Sequence, residues 1–399
     1  MPRWLLALAA AALVFYTDDY VIAGVLPELS RDLSVSPGAA GQLVTAFSVT
    51  VAIAAPVAAV ATARLPRRRV LAVAAAVFTA ANALAAATPS FAVLLALRVA
   101  AALAAATAAP VLFALAARLA PPERVGRYVA VVAFGVTGAI ALGVPAGTWI
   151  GGALGWRATF ATMAAAGALV LLGFLTQLPR RTAPEPALPL RSQLAILARP
   201  AVSLGLAANV VLMSGSMMLL TYLAPFTDRL ASADAGARGL LFAVSGLAGM
   251  AGIWGGGLAT DRWGPDRTLA AGVGLFVLTM AALTALWAAR PVQVALLLPV
   301  VAVWGGAAFW NSPAVQARLH LLAGPVAAQA LAMNTSGTYL GVAVGGAAGG
   351  AVLEAAGPGP LPVVAGAAGI AALGLFLLAA GRRGGARRQA EERAGEAAA

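Results

Sequence analysis

Apolar residues along this chain come in runs of about twenty, separated by short stretches rich in Arg, Pro and Gly. At 1.5 Å per residue, such a run crosses the roughly 30 Å hydrocarbon core of a bilayer as a helix. The punctuation predicts twelve spans: 4–26, 41–63, 70–89, 91–117, 128–150 and 158–178, then 201–224, 239–260, 268–289, 292–317, 327–353 and 362–380. The longest polar connection, 179–200, carries several prolines and reads as a flexible cytoplasmic linker. It separates a six-helix half at 1–178 from a second at 201–381, with a solvated or headgroup-contacting tail at 382–399. The predicted fold class is therefore all-α, a polytopic membrane protein. Residues 1–15 have the basic start and apolar stretch of a cleaved signal peptide. Eleven further spans need a first helix to begin their alternation, so the segment is read as span 1.

Composition narrows the function. The 399 residues are 61% apolar and 10% charged, against about 45–50% and 25% in an ordinary soluble domain. The net charge of +12 would suggest nucleic acid if the basic residues lined one soluble face. Instead all 26 are Arg, set almost entirely between the apolar runs or in the tail, so the expected contact is the lipid bilayer and no nucleic acid. Without Lys there is no P-loop, and hence no built-in ATP motor. Neither H-E-x-x-H nor G-x-S-x-G occurs, and the single His320 reads as a solvated loop residue. No enzyme activity, cofactor or metal is expected.

Basic flanks stay on the cytoplasmic side of a membrane. With the N-terminus inside, twenty Arg are cytoplasmic, five (Arg31, Arg157, Arg229, Arg238, Arg290) lie on the other face, and Arg98 falls within span 4. Twelve crossings then leave both termini inside.

The two halves repeat with an offset of 198 residues. Ala61-Thr62-Ala63-Arg64-Leu65-Pro66-Arg67-Arg68-Arg69 lies over Ala259-Thr260-Asp261-Arg262-Trp263-Gly264-Pro265-Asp266-Arg267. In the same register Pro27 matches Pro225, while Gly143, Gly147, Gly151 and Gly152 match Gly341, Gly345, Gly349 and Gly350. Parallel repeats imply a pseudo-two-fold axis along the membrane normal.

The loop from Gly257 through Asp261, Arg262 and Gly264 to Arg267 resembles the signature G-x-x-x-D-R-x-G-x-[RK]-[RK] of the major facilitator superfamily. One of the two final basic residues is kept. The first-half copy, with Arg64, Arg67, Arg68 and Arg69, has Ala59 and Ala63 for the family's Gly and Asp, and Pro66 for its second Gly. Asp18-Asp19-Tyr20 followed by Gly24 and Leu26-Pro27-Glu28, together with Leu97-Arg98 in span 4, is similar to the bacterial twelve-span drug:proton antiporter and sugar-efflux group. Gly143, Pro145 and Gly147 resemble that group's Gly/Pro antiporter motif, with Val144-Pro145 where the family has Gly-Pro. The resemblance implies a bacterial inner-membrane exporter of small organic molecules, driven by protons and functional as a monomer, with the two arginine loops as gates. Alternatives are a sugar or nucleoside efflux permease, or a membrane sensor or scaffold that transports nothing.

Intramembrane charges mark the expected chemistry. Asp18 and Asp19 lie about 21 Å or more along span 1 from Trp4, and Arg98 lies about 10 Å into span 4. Successive residues point about 100° apart, so one carboxylate at most faces a central cavity squarely. The resemblance favours Asp19 for proton coupling, with Asp18 pairing with a neighbouring helix; Arg98, at a depth like that of Asp19, reads as counter-charge to Asp19 or to substrate, or as a structural pin to backbone carbonyls. An acidic cavity would favour cationic substrates, whereas Asp19 neutralised by Arg98 would accept neutral ones. Gly143, Pro145 and Gly147 permit close packing and a hinge. In the superfamily the first and fourth helices of each half line the cavity. The resemblance therefore places substrate against Asn209, Ser214, Ser216 and Tyr222 of span 7 and Trp304, Trp310 and Asn311 of span 10.

Because the chain has no Cys, the orientation can be tested by single Cys substitution. Cys at Ala233 or Ala355 is expected to react with an impermeant thiol reagent in intact cells, and Cys at Ser192 or Ala386 is not. Labelling at Ser192 in sealed cells would overturn the orientation.

Overall fold

A computed structural model describes residues 1–179 and 189–396; Arg180, Arg181 and the last three residues of the tail lie outside it. Among the described residues twelve helices are long and apolar enough to cross a membrane: Arg3–Asp32, Pro37–Ala61, Arg67–Ala87, Phe91–Leu119, Pro122–Leu154, Trp156–Gln177, Pro200–Thr221, Ala235–Trp263, Pro265–Ala288, Val294–Ala323, Gln329–Ala356 and Leu361–Ala379. They are numbered spans 1 to 12. The described residues contain no strand. The twelfth helix continues beyond the apolar stretch to Glu396, so the described part of the expected tail is helical.

Local chemistry explains the helix ends. Ser36, Ser90 and Asp234 cap spans 2, 4 and 8 by accepting from the N–H of Ala39, Val93 and Ala237 at 3.1, 3.4 and 2.8 Å. Gly264 separates spans 8 and 9 with φ of 79°, a conformation a side chain would strain. This backbone need accounts for the second Gly of the arginine loop. Large apolar side chains such as Leu154 and Trp254, 76% and 72% exposed, form the lipid-facing surface.

The halves meet tightly toward the arginine-poor face. Glu28 of span 1 accepts from Arg238 of span 8, and Ser36 bonds Glu354 at the end of span 11. The Tyr222 hydroxyl donates to Gly346 O at 2.8 Å, and the Trp149 indole donates to Gly236 O at 3.3 Å. Spans 2 and 11 touch at Gly38, Thr45 and Gly346, then line opposite walls of a cavity farther toward the arginine-rich face. The linker is not wholly a flexible tether: Leu190–Leu194 forms a short helix packed on spans 2 and 11, with Gln193 buried. Ala233 is also buried, leaving Ala355 as the accessible labelling position on the arginine-poor face.

Span 5 explains how the first half packs. Its glycines receive span 1 side chains directly: a Cβ on Gly143 would lie 1.9 Å from Thr17 Oγ1, one on Gly147 2.2 Å from Val21, and one on Gly151 2.4 Å from Val25. Nearer the N-terminus, Gly138 meets Leu13. A step of four positions on span 1, from Leu13 to Thr17, is therefore matched by a step of five on span 5, from Gly138 to Gly143. A π turn over Ala139–Gly143 takes up the extra residue, immediately before Pro145, which has no N–H to donate. The second half repeats the device: Gly341, Gly345 and Gly349 of span 11 press on Met213, Ser214 and Met218 of span 7 and on Tyr222 just past its end.

Gly147→Leu should therefore force spans 1 and 5 apart at a cost of about 1–3 kcal/mol. Detergent-solubilised protein is expected to melt several degrees lower than the parent; an unchanged melting temperature would refute this packing.

Candidate functional site

The contact of Thr17, Val21 and Val25 with span 5 sets the rotation of span 1. From Thr17, each residue turns the side chain about 100°. Asp18 consequently points to span 4 and Asp19 to the cavity.

Asp18 and Arg98 form a buried ion pair, Nη1 to Oδ2 at 2.6 Å, with side chains 0% and 1% exposed. Arg98 Nη2 also donates to Asp18 O at 2.9 Å. The guanidinium carbon sits 4.5 Å from the Phe47 ring centroid and 6.0 Å from that of Phe160. Arg98 was expected opposite Asp19; the structure gives its bonds to Asp18 instead. The reason is rotational: the glycine contacts of span 1 leave Asp18, not Asp19, on the side of span 4.

Asp19 is 2% exposed, and neither carboxylate oxygen makes a hydrogen bond of regular geometry. Tyr16 and Tyr20 stand on its own helix, and Tyr339 of span 11 is close enough to interact electrostatically. The carboxylate borders a cavity of about 220 Å³. Spans 1, 2 and 4 of the first half and span 11 of the second line it, with Gln193 from the linker helix. Pro56 and Pro110 lie in its walls.

None of the expected second-half residues borders this cavity. Asn209 donates to Asn334 at 2.9 Å and Thr338 at 3.0 Å, tying span 7 to span 11. Ser214 donates to Val211 O, and Ser216 is buried without a hydrogen-bond partner. Tyr222 belongs to the contact between halves. Trp304 is buried, Trp310 donates to Thr268 O at 3.1 Å, and Asn311 donates to Ala307 O at 3.0 Å. Asn209, Tyr222 and Trp310 join helices, Ser214 and Asn311 bond carbonyls of their own helices, and Ser216 and the Trp304 indole N–H are buried without a hydrogen-bond partner. The cavity residues missed are Tyr339, Thr335 and Ser336. Their signal was present as the polar run Asn334-Thr335-Ser336-Gly337-Thr338-Tyr339 inside an apolar span.

Asp261, Arg262, Arg267, Arg64 and Arg69 are exposed at the loops, and a Cβ on Gly257 would meet open space. Arg67 donates to Thr62 O at 3.4 Å, while Arg68 donates to Leu175 O. The ion pair at the 8–9 loop joins Asp266 to Arg318 of span 10 at 3.1 Å, involving neither Asp261 nor Arg262.

The family profile described as Major Facilitator Superfamily matches residues 8–330. The chain belongs to the Major Facilitator Superfamily. It is a membrane transporter of small-molecule substrates, not an enzyme. It is 34% identical over 348 residues to the Chloramphenicol resistance protein of Streptomyces lividans, covering 86% of this chain and 87% of that one. It is 32% identical over 380 residues to the Inner membrane transport protein YdhP of Escherichia coli (strain K12), covering 94% and 95% respectively. Among solved structures, the nucleoside transporter NupG aligns with TM-score 0.79 at 14% identity, covering 94% of this chain and 98% of NupG. The D-xylose-proton symporter aligns with TM-score 0.76 at 18% identity, covering 94% and 97%. These two establish the shared major facilitator fold.

Breaking one partner of a buried ion pair costs about 3–5 kcal/mol, because it strands a charge in a low-dielectric interior. Arg98→Met is therefore expected to lower the melting temperature sharply, and Asp18→Asn in the same chain to recover part of the loss. Equal melting of single and double variants would show that the pair carries no such coupling.

Proposed function

We propose that this transporter exports small organic molecules from the cytoplasm across a bacterial inner membrane, by alternating access coupled to proton entry, as a monomer. The observation that carries the reading is Asp19: a buried carboxylate without a hydrogen-bonded counter-charge, bordering the cavity between the halves. Such a group can take a proton when exposed to one side and release it when exposed to the other. The arginine asymmetry supports a cytoplasmic arginine-rich face with both termini inside. The cavity then faces inward, and the Glu28–Arg238 and Tyr222 contacts seal the outside.

The name of the Streptomyces lividans relative supports drug export over the sugar alternative. So does the cavity wall: spans 1, 2 and 4 contribute mostly Ala, Pro, Val and Phe. A sugar would leave many hydroxyl groups unsatisfied against such a surface. Gly143, Pro145 and Gly147 serve as the pivot in this reading, beside the π turn, and the two arginine loops act as cytoplasmic gates.

Proteoliposomes with an acidic lumen are expected to accumulate chloramphenicol, the first probe, as protons leave down their gradient in exchange for it. One proton per neutral molecule and one pH unit support at most about tenfold accumulation. Asp19→Asn should abolish the uphill component and retain downhill exchange. Undiminished uphill transport after both pH gradient and membrane potential are dissipated would sink the reading.

A further inference from the structure

We propose that the seam between spans 1 and 5 holds one anionic phospholipid from the leaflet on the arginine-rich face, its phosphate between Arg124 and Arg127 and an acyl chain laid along the seam. The site does not depend on which solute is carried or on what drives transport.

The headgroup end is built at the start of span 5. Arg124 and Arg127 stand three residues apart on this helix and so share a face. Arg98, Arg238 and Arg318 are ion-paired, whereas among the described residues neither of these two side chains has an ion pair or a hydrogen bond. Both border a cavity of about 250 Å³, shared with Pro2 and Leu5 at the start of span 1 and Tyr128 and Val131 of span 5. No acidic side chain among the described residues lines it, and Glu123, next in the chain, does not border it. Two unpaired guanidinium groups at one cavity attract a ligand with negative charge and several acceptor oxygens. A phosphodiester supplies both, in a geometry that the arginine fork matches.

Placement decides where the phosphate comes from. Trp4 of span 1 packs against Tyr128, with ring centroids 5.6 Å apart, and such amphipathic rings collect at the membrane–water interface. Tyr128 lies within about one helical turn of both arginines, which puts them at the depth of lipid phosphates. A basic pocket between helix ends at that depth suits a lipid headgroup. A headgroup ammonium would be repelled by the two arginines, so the fit is to a phospholipid without an amine.

The same helices accommodate the chain. An apolar groove of about 280 Å³ is lined by Leu13 and Val14 of span 1, Leu142 and Ala146 of span 5, and Thr162 and Met163 of span 6. Leu13 lies about 14 Å along span 1 from Trp4, near the middle of a core roughly 30 Å thick, where the chains of one leaflet end. Between pocket and groove Phe134 of span 5 is 64% exposed, so the helix meets lipid over this stretch. A chain hung from the arginines thus has the length to reach the groove and the polarity to fill it. The groove also borders Thr17 and Gly143, at the π turn, so its occupant bears on the contact that sets the rotation of span 1.

The test is lipid binding to delipidated, purified protein in detergent, counted by native mass spectrometry and read as a melting shift, with neither substrate nor gradient. Dioleoyl phosphatidylglycerol should fill one saturable site and raise the melting temperature; phosphatidylcholine with the same chains should do neither. Arg124→Gln with Arg127→Gln should weaken the anionic lipid by about tenfold or more, the loss of two charge-assisted hydrogen bonds. Equal charge removed elsewhere on the arginine-rich face, by Arg262→Gln with Arg267→Gln, should leave binding unchanged. Ala146→Leu, which fills the groove from an exposed position, should reduce the advantage of dioleoyl over dihexanoyl chains. Full binding of phosphatidylglycerol by folded Arg124→Gln/Arg127→Gln overturns the site. So does equal loss in the two double variants, which would be general attraction to a basic surface. A melting shift reproduced by inorganic phosphate at equal concentration makes the pocket an ion site and overturns the lipid. Unchanged chain preference in folded Ala146→Leu overturns the path of the chain.

Discussion

Helices inside a bilayer gain little from hiding apolar side chains from equally apolar lipid, so their close approach has to come from shape. In the first half of this transporter that shape is the glycine row of span 5, into which Thr17, Val21 and Val25 of span 1 insert. The contact leaves span 1 little freedom to rotate about its axis. Two adjacent carboxylates are thereby sent to different environments, Asp18 into an ion pair and Asp19 to the cavity. A single register step along span 1 would put one of them in the other's place and leave the vacated position to a residue of another kind.

The ion pair and the cavity depend on each other. An unpaired guanidinium within a span is costly, and Asp18 with the Phe47 ring makes the interior tolerable for Arg98. Because Asp18 supplies the neutralising charge, Asp19 need not. The same aromatic ring lines the cavity that Asp19 borders. Structural pairing and the chemically available group thus occupy neighbouring residues with distinct tasks.

The halves share a scaffold but not the charges. Glycines of span 11 press on span 7 as those of span 5 press on span 1. Yet the positions 198 residues after Asp18, Asp19 and Arg98 are Ser216, Met217 and Leu296. The first half carries the acid, and the second contributes Tyr339 to the opposite wall. Glu28 with Arg238 and Ser36 with Glu354 join the halves on the arginine-poor face, so opening there requires those contacts to separate.

The twelve spans, their order and the repeat were legible in the sequence because a bilayer imposes a length and a polarity on each segment independently of its neighbours. Asp18, Asp19 and Arg98 were legible as special for the same reason: charge in an apolar run stands out by type. Their pairing was not. Hydropathy says how deep a residue lies but carries little information on helix rotation in Ala-rich spans, where nearly every face is apolar. Likewise Asn209, Tyr222 and Trp310 look like ligand contacts until their helix partners are known, and Tyr339 gains its place only when span 11 crosses to the first-half cavity. Depth and composition follow from each segment's own transfer between water and lipid, so sequence alone determined them. Which side chains meet follows from packing between segments distant in the chain, and only the tertiary structure decided it.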